Sequence, residues 1–279
     1  MAEVAEDLGE IVSFALPRPC AHHPYRALER GQAGDLGWRI LYFPRLDSTQ
    51  RIAAELARQS QPAGTLVIAE SQSSGRGRSG HHWFSPPGVN LYLTAILRPQ
   101  LDGSRLPSLS LAAGLAMAQA LAEVVSVSPR LKWPNDLWFG ERKAGGLLAE
   151  VIGHDTGAPC VLLGLGLNVN LRREQLPPAL LPIATSLRIE TGREWDRAAI
   201  LGGLIRHLSS CLAEWERDGF APMAARWRTY SVLTGRRVSL REGAASIQGQ
   251  VMGIDDRGAL LVDTGSEVRA VMAGEVMLE

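Results

Sequence analysis

The sequence is short of cysteine, of net charge and of long apolar runs, and each shortage excludes something. Its 279 residues include three cysteines, Cys20, Cys160 and Cys211, widely spaced and without a Cys-x-x-Cys pair. Neither a disulfide framework nor a cysteine-based zinc site is indicated, and a reducing cytoplasm is the expected setting. Lys and Arg total 29 and Asp and Glu total 29, a formal net charge of +0. A protein whose main task is non-specific nucleic-acid binding would carry a basic excess, so that class is set aside. No stretch reaches the roughly 18 apolar residues of a membrane span. The apolar run near the acidic N-terminus is too short for a secretory signal. There is no Gly-x-Ser-x-Gly elbow and no cysteine beside a plausible base, which argues against covalent hydrolase chemistry. His22-His23 and His81-His82 are adjacent pairs. Neighbours on a strand point to opposite faces, so no metal-ligand set is assigned.

What is present suits a globular protein. With 46% hydrophobic and 21% charged residues, the chain can bury a full core as one large domain, or a large and a small one. Residues 1–37 hold Pro17, Pro19 and Pro24 and read as an extension or partly ordered arm, too short for a helix-turn-helix. Residues 38–43 read as a strand. Asp47, Ser48 and Thr49 then offer caps for a helix to about Gln59, with Ile52, Ala53, Leu56 and Ala57 at helical spacing. Residues 64–70 and 91–97 read as strands, the second apolar on both faces. Residues 109–125, rich in Ala and Leu, read as a buried helix. A hairpin at 139–142 leads into 143–152, and a further strand starts at Cys160 and ends near Asn168. Residues 171–182 read as a loop. Asp196 caps a long helix that Gly219 ends, and Trp195, Trp215 and Trp227 are assigned to packing around it. After about Ser231, apolar runs broken by Gly243, Gly249, Gly258, Gly265 and Gly274 read as four or five short strands of a small barrel. The expected class is α+β, with a larger domain over 38–230 and a small all-β domain over 231–279.

Residues 72–87, QSSGRGRSGHHWFSPP, are the most unusual stretch. Glycine lets backbone approach a ligand closely, and arginine presents a planar charged fork to carboxylate or phosphate. Gly75-Arg76-Gly77-Arg78 therefore reads as a loop that wraps an anion; the blander reading is a solvated surface loop. Gly75-x-Gly77-x-x-Gly80 is formally a dinucleotide fingerprint, but that site needs a helix directly after the glycines. The following His81-His82-Trp83-Phe84-Ser85-Pro86-Pro87 cannot start one soon enough. No Gly-Lys-Ser/Thr closes a Walker loop. Lys132-Trp133-Pro134-Asn135-Asp136 joins an extended residue before proline to turn formers; Asp136 either faces a site or ends a strand. Lys143-Ala144-Gly145-Gly146 sets an ammonium near open backbone, or is an exposed hairpin lysine. Gly164-Leu165-Gly166-Leu167-Asn168 is too glycine-rich for ordinary core; Asn168 either donates to a phosphate or sugar or closes a turn.

Taken in order, these stretches resemble the biotin protein ligases, also called biotin–[acetyl-CoA-carboxylase] ligases. Trp83-Phe84-Ser85-Pro86 and Leu91-Tyr92-Leu93 belong to the matching set, and residues 253–260 resemble that family's terminal barrel. The resemblance covers about 38–279. It implies a catalytic domain related to class II aminoacyl-tRNA synthetases and an SH3-like C-terminal domain. It also implies two half-reactions: ATP and biotin give biotinyl-5′-AMP, and a lysine of the biotin carboxyl carrier domain of a carboxylase then accepts the biotin. By resemblance Lys143, Arg78 and Asp136 would be catalytic. Ser48, Thr49, Gln72, Gly75, Arg76, Gly77, Arg78, Lys143 and Gly146 would hold biotin. Arg78, Trp83, Asn135, Lys143 and Asn168 would hold the nucleotide, with Mg²⁺ expected alongside ATP and its ligands unassigned.

The resemblance is not uniform. Gln50 stands where relatives usually have Asn, and Ser79 and His81 stand where their loop stays basic. No tryptophan occurs in 180–187 to stack on adenine, so adenine contacts are left unassigned. The form is the one lacking an N-terminal DNA-binding domain, so neither DNA nor membrane is an expected partner; a homodimer is compatible with it. Two alternatives are a lipoate–protein ligase and a non-catalytic biotin or nucleotide sensor. The sensor would not need Asp136 and Lys143.

Overall fold

Strand β2 (Thr65–Ala69) shows how the larger sheet is built, because it is buried along its whole length. Successive side chains leave a strand on opposite faces, so full burial requires an apolar layer on each side. Leu66 and Ile68 enter one core cluster, and Val67 and Ala69 enter the other. The computed structural model describes residues 16–30, 37–100, 103–125, 128–153, 159–242 and 245–279. Around β2 lie β1 (Arg39–Phe43), β3 (Leu91–Leu97), β4 (Arg130–Lys132), β5 (Asp136–Phe139), β6 (Arg142–Ile152) and β7 (Cys160–Leu167). The sheet order is β1-β2-β3-β7-β6-β5-β4. Only the β1–β2 pair is parallel, as its connection through helix α1 (Thr49–Arg58) requires.

Helix α1 covers one face of the sheet with Ile52, Ala53, Leu56 and Ala57. The other face carries α2 (Leu109–Val124), and α4 (Arg197–Asp218) packs on α2 in turn. Sandwiched between sheet and helix, α2 needs no polar stripe, which explains its Ala- and Leu-rich composition. Helix α4 starts at the Asp196 cap, whose side chain accepts from the Ala198 N–H, and ends at Gly219 with φ +76.

Two helices escaped the sequence reading, α3 (Leu187–Thr191) and α5 (Ala221–Tyr230). Each is short, and α5 carries Pro222 as its second residue, three positions after the glycine that ends α4. That pattern reads as loop, but Pro fits a first helical turn where its missing N–H is not needed. Where it is described, the N-terminal extension is tied to the larger sheet. Tyr25 is buried in the main core, and the Cys20 N–H donates to the Tyr42 carbonyl along the sheet edge at 2.8 Å. Residues 1–15 and 31–36 lie outside the described part.

The C-terminal strands β8 (Arg237–Glu242), β9 (Ala245–Ile254), β10 (Leu260–Asp263), β11 (Val268–Val271) and β12 (Glu275–Leu278) form an antiparallel sheet ordered β11-β10-β9-β8-β12. Its inward residues Val238, Leu240, Ile247, Val251, Leu260, Val262, Val271 and Val276 join the main core. The Trp133 indole N–H donates to the Gly258 carbonyl at 3.0 Å, and the Val232 N–H to the Leu131 carbonyl at 3.0 Å. The small sheet is thus fixed against the Lys132–Asp136 stretch.

Candidate active site

One row of paired residues forms the floor of a cavity in the larger sheet. Across β3, β7, β6 and β5 the register aligns Tyr92 with Gly166, Gly166 with Gly146, and Gly146 with Asp136. The neighbouring row aligns Thr94 with Gly164 and Gly164 with Leu148. Directly opposed residues share a face, so three glycines strip side chains from one patch of an otherwise filled sheet. The space above them is about 590 Å³, within the range of small-molecule sites. A side chain at position 166 would collide with the cavity wall, since an added Cβ would stand 2.5 Å from Trp83 Cε2.

One end of the cavity offers neutral hydrogen-bonding groups. Ser48 takes the N-cap position of α1, yet its hydroxyl makes no capping bond and has no partner within the protein while almost fully buried. An unpaired buried hydroxyl costs about 1–3 kcal/mol, a cost that a bound acceptor or donor would remove. Of the three caps that the sequence offered, Ser48 thus takes the N-cap position without supplying the capping bond. Beside it, Gln72 Oε1 accepts from the Thr49 N–H at 2.8 Å and from the Thr49 hydroxyl at 3.1 Å. Gln72 Nε2 donates to Ser85 Oγ at 3.0 Å. Thr94 Oγ1 lies 2.9 Å from Thr49 Oγ1 and 3.1 Å from Gln50 Oε1. Gln50, longer than the usual Asn, reaches the Leu162 carbonyl at 3.3 Å because Gly164 leaves it room.

The other end is cationic. Lys143 Nζ stands 2.7 Å from Asp136 Oδ1 and 5.5 Å from the Trp83 ring centre. Arg78 donates to Asn135 Oδ1 at 3.1 Å, and Asn135 Nδ2 donates in turn to the Leu147 carbonyl at 2.7 Å. The ring of Trp138 lies 4.9 Å below Lys132 Nζ. Burial pushes the Lys132 ammonium pKa down, and the nearby Lys143 charge acts the same way against the pull of Asp136 and Glu275. The indole N–H of Trp83 is buried without a partner in the protein. This end can hold a polyanion, and the continuous cavity can hold a neutral polar head joined to one.

Of the residues singled out from sequence, Ser48, Thr49, Gln72, Arg76, Gly77, Arg78, Trp83, Asn135, Asp136, Lys143, Gly146 and Asn168 all line this cavity. Gly75 does not: it packs against the Trp83 carbonyl and Ser85, where a Cβ would stand 2.5 and 2.7 Å from their oxygens. The Arg76 guanidinium is turned to Glu150 at 3.1 Å. Asn168 already bonds Asn90 through Oδ1 at 3.1 Å and the Thr185 carbonyl through Nδ2 at 2.9 Å. Arg78–Gly80 is a single 3-10 turn, not the helix a dinucleotide site needs. Missed by sequence reasoning were Gln50, Thr94 and Lys132, with Arg241, Gly274, Glu275 and Val276 from the small sheet. Lys132 stood inside a motif already quoted. The small-sheet residues carried no local signal, since only the docking of that sheet brings them to the cavity. Among the described residues, no helix is long and apolar enough to cross a membrane.

Comparison with known proteins agrees with this geometry. The profile of the biotin/lipoate A/B protein ligase family matches residues 42–168, and that of the biotin protein ligase C terminal domain matches residues 233–278. The chain is 34% identical over 247 residues to the bifunctional ligase/repressor BirA of Bacillus subtilis, covering 87% of this chain and 75% of that protein. It is 35% identical over 248 residues to the biotin–[acetyl-CoA-carboxylase] ligase of Mycobacterium tuberculosis, covering 86% and 90%. Among solved structures, the Aquifex aeolicus biotin protein ligase in complex with biotin and ATP superposes with a TM-score of 0.77 at 31% identity, covering 86% of this chain and 98% of that one.

Proposed function

Because the chain belongs to the biotin/lipoate A/B protein ligase family, we propose that it activates biotin with ATP and transfers it to a lysine of a biotin carboxyl carrier domain. One observation carries the reading: a single cavity joins a neutral end at Ser48, Thr49 and Gln72 to a cationic end at Arg78, Lys132 and Lys143. A ureido ring matches the first end and a carboxylate meeting a triphosphate matches the second. In the first step a biotin carboxylate oxygen bonds to the α-phosphorus of ATP, the bond to the bridging oxygen breaks, and pyrophosphate leaves. Two anions must be held together, so positioning and fixed positive charge do most of the work. Arg78 and Lys143 offset that charge, with Asn135 aiming Arg78. In the second step the carrier lysine nitrogen attacks the acyl carbon and AMP departs with its oxygen. A protonated amine is not a nucleophile, and Asp136 is the carboxylate placed to take that proton.

Mg²⁺ enters with the nucleotide in this scheme. Among the described residues no group of three or more His, Cys, Asp or Glu could hold a metal ion, so no ligand set on the chain is assigned to it. Residues 231–279 act as a small domain that closes one wall of the site, residues 38–230 as the catalytic domain, and residues 1–37 as an extension.

The decisive assay supplies the purified chain with Mg·ATP, a carrier domain, and biotin or lipoate in parallel. Biotinylation of one carrier lysine is expected, with AMP and pyrophosphate as products. Transfer of lipoate in preference to biotin overturns the reading, as does binding of biotin without any acyl-adenylate.

A further inference from the structure

The loop from Gln72 to Pro87 leaves the sheet at the end of β2 and returns at the start of β3, so its shape depends on what fixes those two points. Glu70 precedes it and Asn90 follows it. One side chain touches both. Arg197 Nη1 lies 2.7 Å from Glu70 Oε1 and donates to the Asn90 carbonyl at 3.0 Å. Both charged side chains are only 17% exposed. Glu70 Oε2 accepts from the Tyr42 hydroxyl at 2.9 Å. Burial pushes the Tyr25 hydroxyl pKa up to about 12 and that of Tyr42 higher still, so both phenols are neutral around the pair.

The placement runs against local preference. Arg197 is the first residue of α4, and a cation there opposes the positive end of the helix dipole. A buried ion pair is also weak evidence for stability alone. Its geometry is better matched to holding two chain segments at a fixed separation. The contact extends to the other side of the site: Asn90 Nδ2 donates to Asn168 Oδ1 at 3.1 Å, and Asn90 Oδ1 accepts from the Val169 N–H at 2.9 Å. Asn168 lines the cavity.

We propose that Arg197, through Glu70 and Asn90, is a positioning residue that clamps both stems of the arginine–glycine loop and ties them to Asn168. It touches no reacting atom. Its effect is on how long the loop stays closed over its ligand, which for the reaction proposed above is the acyl-adenylate. The clamp itself stands without that reading, and two separate measurements keep them apart.

The first measurement is limited trypsin digestion of the ligand-free full chain, following cleavage after Arg76 and Arg78 against cleavage after Arg58 in α1. Proteolysis of a folded protein reports the population of locally opened chain. Cleavage at the two loop bonds is expected to rise about tenfold in Arg197→Gln and in Glu70→Gln, as loss of about 1.4 kcal/mol of local closure would give. Arg197→Lys, which keeps the charge, should restore part of the protection, and the Arg58 bond should be unaffected. Wild-type cleavage in a folded variant overturns the clamp, and so does an equal rise at all three bonds. If Arg197→Gln fails to fold, Glu70→Gln, which keeps a bond to Tyr42, decides. The second measurement is release of biotinyl-AMP from the same variants, expected to quicken in the same order while the adenylation kcat holds. Faster cleavage with unchanged release overturns the positioning role. A wild-type chain that forms no biotinyl-AMP overturns the ligase reading instead, while the digestion still decides the clamp.

Discussion

Lys143 and Asp136 form the ion pair at the centre of the cationic end, 2.7 Å apart and both partly exposed. Asp136 Oδ1 is buried, whereas the Lys143 side chain is about a third exposed and lines the cavity, so the ammonium is open to a ligand. Lys143→Ala is expected to lower acyl-adenylate formation by roughly 10²–10³, the usual effect of removing one preorganised electrostatic contact. Biotin binding, measured by calorimetry, should change far less, and equal losses would place Lys143 outside the reacting centre. Gly166 supplies a steric test. An alanine there would force Trp83 aside, so Gly166→Ala should weaken ATP binding by about tenfold, or ~1.4 kcal/mol. A shift in tryptophan emission should accompany it; unchanged affinity would separate Trp83 from the nucleotide. The cavity residues were mostly legible as types in unusual company: paired glycines beside a lysine, arginines alternating with glycine. Thr94 was not, because a buried Thr in an apolar strand shows its purpose only when its bonding partners are known, and Gln50 was noticed as a departure but not as a cavity residue.

Helix α4 and the loop from Gln72 to Pro87 were read from sequence for different reasons. Helix α4 has a cap, an apolar face and a terminal glycine, all local signals that the structure retains. Asp196→Ala should cost about 1 kcal/mol through the lost N-cap, a fall of roughly 2–4 °C in Tm. Calorimetry checks it, and an unchanged Tm would leave the Asp196–Ala198 bond without weight. The loop was recognised by what it lacks, a following helix, and that exclusion agrees with its 3-10 turn. Its anchoring was not visible. Arg197 lies over a hundred residues from the stems that it joins, and no periodicity announces such a pairing. Helix α5 was hidden because Pro222 after Gly219 resembles loop sequence.

The two sheets meet where Trp133 donates to the Gly258 carbonyl. Gly258 has φ +89, and a Cβ there would stand 2.4 Å from Leu111 Cδ1. Gly258→Ala therefore combines a disfavoured left-handed backbone with overpacking, together about 2–4 kcal/mol. The expected result is a Tm lower by roughly 5–10 °C. Activity per folded molecule should also fall, because Arg241 and Glu275 line the cavity only while the small sheet is docked. A variant that keeps both Tm and turnover would show that the contact is slack and the small sheet dispensable to the site.

The alternation of strands and helices, the glycine- and arginine-rich loop, the ordered motifs that carry the family resemblance and the change of texture near Ser231 can all be read without coordinates. All of these are encoded within a few residues, by period, by caps and by the backbone freedom of glycine. Tertiary structure alone decided the rest. Strand register put Gly166, Gly146 and Asp136 in one row and so opened a floor in the sheet. Burial left the Ser48 hydroxyl unpaired instead of capping its helix. Docking of the small sheet brought Arg241 and Glu275 to the cavity. Each depends on segments far apart in the chain coming to a fixed separation, and no local pattern records that distance.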